Sequence, residues 1–436
     1  MKESALKQSI LLRLLLVAGL ALLLLIPVAL VAVLISERES TRNAAVMEVT
    51  RQWGARQILA GPILTTPFQR TVTDTRGETR ERTEEVHMLP DTVTIAATVS
   101  PEIRSKGIYN VVLYGAKTVI RATFDVAPIM SGYGRYGAPQ WSDATLSLGI
   151  SDVKGIAAIR RVTVNGVEVK AEPGIRTRDH VNSGFTIPVP AGFSGTRLQL
   201  DLEVDFRGSE ELRVVPVGKH TVVTMAAPWG DPGFVGEFLP VTRDIRRDSF
   251  RATWSVLDFN RNLPQTWTGK QKSLEASSLG VRLVLTVDEY QKNERAVKYA
   301  ILFIALTFLG FFMIDALMRS PFHPVHYLLV GFALILFFVL LLSLSEQIPF
   351  NAAYAAGSVA VVLLISLYTK GVTGRWDLAA IVAGVLAGLY GFLFILLQLE
   401  DLALLLGSIG LLLILAIVMH LTRRIDWFQP QKTQEG

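Results

Sequence analysis

The sequence contains no cysteine, which excludes disulfides, zinc–thiolate sites and thiol nucleophiles together. Any part of the chain outside the cytoplasm must therefore be held by its own core, which a domain of roughly 250 residues can supply. Basic tracts of the kind that grip nucleic acid are missing too, and the net charge of +5 is small for 436 residues. There is no Walker sequence, no HExxH, no GxSxG nucleophile elbow and no phosphate-binding glycine loop. None of the long apolar runs carries a carboxylate or histidine at mid-depth, as a proton-coupled carrier requires. No catalytic residue, cofactor or metal ligand set is expected.

Apolar residues are what the chain has in excess: they make up half of it and gather at its two ends. Between Leu11 and Ile35 only Arg13 interrupts a Leu/Val/Ala run. This run is too long for a signal peptide and no A-x-A site precedes Ser36, so it reads as an uncleaved anchor, with Pro27 as a point of kinking. A second run starts near Glu294. Ala300 to Ile314 is free of charge, long enough at 1.5 Å per residue to cross most of a bilayer core. Glu294 and Lys298 stand one helical turn apart ahead of it, so the helix is expected to begin in water and carry its backbone pairing into lipid. Lys298 and Tyr299 suit the interface. Four further spans follow, giving six transmembrane helices at 11–35 and about 296–317, 325–345, 351–369, 377–397 and 402–421.

From 36 to 295 the pattern changes. Ala45, Val49 and Trp53 keep helical spacing, and then the period becomes two. Leu198, Leu200, Leu202, Val204 and Phe206 alternate with Gln199, Asp201, Glu203 and Asp205, as a half-buried strand does. Asn165-Gly166 supplies the two positive-φ residues of a type I′ hairpin that sets Val164 opposite Val167 and Thr163 opposite Glu168. A second hairpin is expected around Gly77, and more strands near 92–99, 111–124, 145–151, 186–189, 212–215, 221–225, 250–256 and 281–287. The expectation is a large, mostly antiparallel β domain inserted between the first and second helices of a multi-pass α-helical membrane protein.

The stretch from Pro228 to Pro240 holds three prolines and three glycines, and the pattern predicts no regular structure there. Two readings of its aromatics stand: rings folded onto the domain core, or a contact loop presenting Trp229, Asp231, Phe234 and Phe238. Several polar residues fall at the expected ends of spans, where charge is cheap: Lys298, Tyr299, Asp315, His323, His326, Glu346 and Asp426. His323 and His326 are three apart, but further metal ligands are absent nearby, and an interfacial role is preferred. Asp315 has Arg319 or Arg423 as expected partners. Ala380, Gly384 and Gly388 repeat every four residues and are expected to mark a tight helix–helix contact.

Several strings together resemble one family. ERAVKYAILFIALTF (294–308), HPVHYLLVG (323–331), LLLSLSEQ (340–347), ALLLGS (403–408) and RRIDWF (423–428) are similar to CreD sequences, as are ISDVKGI (150–156), EPG (172–174), VVP (214–216) and WGDPGFVGEFLP (229–240). The resemblance implies a Gram-negative inner-membrane protein of the cell envelope integrity type, tied to a two-component system and to the response to β-lactams. It brings no catalytic residues with it. The resulting expectation is a non-enzymatic envelope factor whose β domain binds an envelope protein or wall component, with the bilayer as its other partner and no nucleic acid. A transporter or lipid-handling protein is the alternative, and a cryptic hydrolase ranks third.

Loop charges orient the chain. Arg319 follows span two, Lys370 and Arg375 follow span four, and Arg423 and Arg424 follow span six, while the alternate loops hold only Glu346, Glu400 and Asp401. Together with Lys2, Lys7 and Arg13, this predicts cytoplasmic termini at 1–10 and 422–436 and a periplasmic β domain. Alkaline phosphatase fused after Gly208 or Glu346 should be active, and after Arg319, Gly371 or Arg424 inactive. Activity after Gly371 would overturn this topology.

Overall fold

The computed structural model describes residues 10–73, 79–134, 137–270, 274–283, 289–318, 323–399 and 402–423. Lys2, Lys7, Gly77, Arg319, Glu400, Asp401, Arg424, Asp426 and the end of the strand expected at 281–287 lie outside the described residues. The chain divides into two compact units, Asn43–Thr286 and the combination of Met1–Arg42 with Val287–Gly436.

The first unit is built from two sheets. One runs β13 (Pro232–Gly236), β17 (Leu279–Leu283), β11 (Glu211–Val215), β1 (Gln57–Thr73), β5 (Thr145–Ile150), β9 (Gly184–Pro188) and β8 (Glu172–Pro173). From the far half of β1 it continues through β2 (Thr79–Met88) to β16 (Thr266–Thr268). The other sheet runs β14 (Thr242–Ile245), β15 (Phe250–Leu257), β12 (His220–Ala227), β3 (Thr92–Lys106), β4 (Tyr109–Asp125), β10 (Arg197–Ser209), β6 (Ile156–Val164) and β7 (Val167–Glu168). Pairing is antiparallel-rich, as the alternation suggested, but β1 lies parallel to β11 and β12 parallel to β3. Alternation sets which face of a strand is buried and is silent about partner direction.

Each sheet gives one face to a shared core. Along β10, Leu198, Leu200, Leu202, Val204 and Phe206 are buried, while Arg121 pairs with Asp201 and Arg160 with Asp205 on the outer face. The Asn165-Gly166 turn has φ of 50° and 78° and produces the expected register, Val164 to Val167 and Thr163 to Glu168. β1 carries a bulge between Ala60 and Ile63. Gly61 is required there: its φ is 126°, and a Cβ would stand 2.7 Å from the Ser147 carbonyl oxygen.

One expectation needs correction. The stretch 228–240 is not wholly irregular, because Pro232–Gly236 forms β13 and pairs with β17 from Pro232–Leu283 to Gly236–Leu279. Proline is tolerated because β13 is an edge strand and Pro232 opens it.

The second unit holds the apolar helices. Five of those described are long and apolar enough to cross a membrane: Leu15–Trp53, Pro324–Ser345, Phe350–Thr373, Trp376–Gln398 and Ala403–Thr422. Tyr290–Lys298 and Ala300–Asp315, bent by 45° at their junction, make a sixth span if taken as one. The helix of the first span is interrupted at Leu24, since Pro27 has no N–H to offer the Leu23 carbonyl. At the bend near Tyr299 the backbone pairing carries through, Tyr299 N donating to Arg295 O and Phe303 N to Tyr299 O. The bend has a cause in side chains. Tyr290 Oη donates to Glu346 Oε1 (2.9 Å), Asn293 Nδ2 to Ser345 Oγ (2.8 Å) and the Arg295 guanidinium to the Leu396 carbonyl (3.2 Å). These bonds hold the polar helix Glu289–Lys298 over the ends of two spans, while the apolar Ala300–Met318 runs among its neighbours.

The most buried carboxylate among the described residues of the β unit is Glu211, with a side chain 3% exposed. Register puts Arg282 directly across from it on β17, Arg213 follows two residues on, and Arg56 comes just before β1. Arg213 Nη2 lies 2.5 Å from Glu211, Arg282 Nη2 2.6 Å and Arg56 Nη1 3.8 Å. Burial opposes the charge on Glu211, yet the hydrogen bond and charge of Arg282, with Arg213 behind, outweigh it and lower the carboxyl below its ordinary range. Because the native value is depressed, this stabilisation is complete at neutral pH. It is lost as pH falls below the unfolded glutamate value and through the native one. Glu211→Gln should cost about 2 kcal/mol near pH 7, since three arginines lose their anion. The variant's melting temperature should converge on wild type as the solution is acidified. Parallel melting curves across that range would show that the cluster is not responsible.

Candidate functional site

His87 lies on β2, flanked by β1 and β16, and register sets Thr65, His87 and Trp267 side by side. Glu85 is two residues earlier on the same strand and so shares that face, whereas Val86 and Met88 belong to the other and are core. Residues 174–183 form no helix or strand and carry Asp179 and His180 to this rung. His87 is fully buried, with Nδ1 3.0 Å from Thr65 Oγ1 and Nε2 3.5 Å from Asp179 Oδ2. The His180 ring centroid is 4.9 Å from that of His87 and 6.4 Å from Trp267. It is 7% exposed, and neither of its nitrogens has a hydrogen-bond partner. Glu85, His87 and Asp179 each offer a ligand atom, and the three atoms lie within 4.8 Å of one another.

Burial lowers the pKa of His87, with Asp179 and Glu85 opposing it in part. Burial, with the neighbouring His87, takes His180 down to about 4. Both rings are neutral near pH 7 and each keeps a lone pair available. None of these four residues stood out in the sequence, where no metal ligand was expected. The available signals were slight: Glu85-x-His87 on one strand face, and Asp179 adjacent to His180. Only the tertiary fold joins them.

The aromatic stretch lies against the core. Phe234 packs edge-on to Trp254 (5.8 Å between centroids) and Phe250 (6.4 Å), and Trp254 Nε1 donates to the Phe238 carbonyl at 3.1 Å. Trp229, Phe234 and Phe238 are half-buried against the core and Asp231 is exposed.

A fold of terminal apolar helices around an inserted β unit is now joined by a sequence match of the same extent. The CreD family model, described as "Inner membrane protein CreD", matches residues 9–428. The chain belongs to the CreD family. Inner membrane protein CreD of Escherichia coli is 32% identical over 418 residues, covering 94% of this chain and 92% of the relative. It is thus a multi-pass membrane protein of an inner-membrane family.

In this CreD-family chain the polar residues expected at span ends take specific partners. Glu294 and Lys298 form an ion pair at 2.9 Å, and Tyr299 marks the bend. Glu346 accepts from Tyr290, and Asp315 is buried. The two histidines are not brought together as chelators. His323 Nδ1 accepts from Val325 N at the helix start, and His326 Nδ1 lies 2.7 Å from Tyr368 Oη. Deeper in the bundle Tyr390 is a meeting point for rings, with Phe303 4.5 Å and Phe337 4.7 Å away and its carbonyl accepting from Tyr354 Oη at 2.7 Å.

The small-residue stripe requires a correction. A Cβ at Gly384 or Gly388 would meet nothing within 4 Å, and Ala380 is exposed. Gly384 and Gly388 instead line an apolar cleft of about 640 Å³ with Gly310, Phe392 and Gly410. Close approach occurs at Gly331, where a Cβ would collide with Leu24 Cδ1 and stand 3.1 Å from Phe308, and at Gly410 against Phe392. Small spacing shows that a face permits contact, and the neighbour's side chains decide whether contact is made. Gly331→Leu should cost roughly 1–3 kcal/mol by overpacking and lower the protein's level in the membrane. Gly384→Leu should leave it unchanged, and an equal loss in both would place another surface against the Gly384 face.

Proposed function

We propose that this protein is a non-enzymatic inner-membrane factor supporting envelope integrity and the response to envelope or β-lactam stress. The helices anchor it, and the β unit, on the periplasmic side by the loop charges, binds a partner. The observation that carries this reading is the open edge at β14. All four residues of this terminal strand are exposed, Leu239 and Val241 just before it are 78% and 69% exposed, and Phe259 beyond its neighbour β15 is 95% exposed. Large apolar side chains left in water beside a strand whose outer edge has no partner among the described residues are a recognition surface for an extended segment of another envelope protein, added strand to strand. Arg243, Asp244 and Arg246 on the same edge guard it against indiscriminate pairing. A lipid-handling role has one observation in its favour, the apolar cleft beside Gly384 and Gly388. It ranks second because the cleft's lining includes no polar side chain to hold a headgroup.

The test uses a strain lacking its chromosomal copy. Val241→Arg and Phe259→Asp should leave the protein's level unchanged and abolish complementation of β-lactam sensitivity. Phe234→Ala, which removes a ring packed on Trp254, should instead cost about 3 kcal/mol and deplete the protein. Full complementation by both edge variants would overturn the edge as the contact surface.

A further inference from the structure

We propose that Glu85, His87, Asp179 and His180 form a binding site for one divalent transition-metal ion, zinc by the chemistry of its donors, which ties the segment 174–183 to β2. Two imidazoles and two carboxylates make a mixed nitrogen and oxygen set, suited to zinc and unlike the all-oxygen sets of calcium and magnesium. The separations fit. Ligand atoms about 2.1 Å from a tetrahedral ion stand roughly 3.4 Å from one another, and His87 Nε2 is 3.5 Å from Asp179 Oδ2. The third donor, Glu85, lies within 4.8 Å of both on a half-exposed side chain that has room to adjust.

Orientation supports the same conclusion. Thr65 Oγ1 engages His87 Nδ1 at 3.0 Å, which leaves Nε2 turned to the carboxylates, the arrangement in which an outer hydrogen bond aims a metal-binding imidazole. His180 is the independent observation. A ring this deeply buried ordinarily satisfies its polar atoms, yet both its nitrogens lack a hydrogen-bond partner beside the three donors. Its nitrogens fall outside the 4.8 Å cluster of the other three donors, so serving as the fourth ligand requires the ring to turn, which no hydrogen bond opposes. A structural pair between His87 and Asp179 alone would explain neither the unsatisfied His180 nor the placement of Glu85.

The experiment uses the full-length protein in detergent with its affinity tag removed, stripped with chelator and titrated with zinc by calorimetry and with cobalt by visible absorption. One zinc per chain is expected, a melting temperature raised by zinc, and a cobalt spectrum of tetrahedral type. Asp179→Asn and Glu85→Gln, isosteric changes at partly exposed positions, should weaken zinc binding at least tenfold while leaving the metal-free melting temperature near wild type. His180→Gln should weaken it too, whereas a His323→Ala, His326→Ala double variant should bind as wild type does. Absence of zinc binding by the stripped wild type overturns the site. So does binding undiminished in Asp179→Asn and Glu85→Gln.

Discussion

Every backbone N–H and C=O removed from water must find a partner, and this one requirement shapes both units of the protein. In lipid it admits only helices or closed barrels, and here the apolar runs near the two ends are written as helices whose pairing is internal. Tyr299 shows how strict it is: the chain bends by 45° there, yet hydrogen bonds continue on both sides of the bend. Where Pro27 withdraws a donor, the helix breaks one turn earlier instead of leaving the span. In the β unit the same requirement is met sideways, by long strands whose register then determines which side chains become neighbours.

Register is how distant residues acquire chemistry here. Glu211 and Arg282 are far apart in sequence and directly opposed in the sheet, and the pair is completed by Arg213 and Arg56. That cluster is a buried carboxylate met by three arginines, and it reads as structure. The rung at His87 is the opposite case. Thr65 and Trp267 arrive beside it by the same pairing, but the buried nitrogens of His180 are left unanswered. Of these two buried polar groups in the β unit, the carboxylate is met by arginines, and the His180 imidazole has no hydrogen-bond partner.

A similar contrast separates two apolar segments. Phe234 and Phe238 lie in a stretch of prolines and glycines open to two readings, core or contact loop, and the core reading fits: Phe234 on β13 packs against Trp254, whose Nε1 donates to the Phe238 carbonyl. The exposed apolar residues come a few positions later, at Leu239 and Val241, where β14 ends its sheet. Composition offered the larger rings as the contact candidates. Burial depends on which edge of which sheet a segment joins, and neighbouring residues of one stretch went to different edges.

The sequence by itself determined the solvent of each segment, because hydrophobic run length is a local property that a bilayer reads directly. It determined the strand faces of β10 and the hairpin at Asn165-Gly166, since alternation and turn chemistry act within a few residues. The expectation that the Gly384 stripe marks a close contact failed, because small residues permit an approach that only facing side chains complete, as Leu24 does at Gly331. The parallel pairings of β1 with β11 and β12 with β3, the arginines around Glu211 and the meeting of His87 with Asp179 and His180 were decided by tertiary structure alone. Each joins residues far apart in the chain, and no periodicity within a segment encodes which other segment will lie beside it.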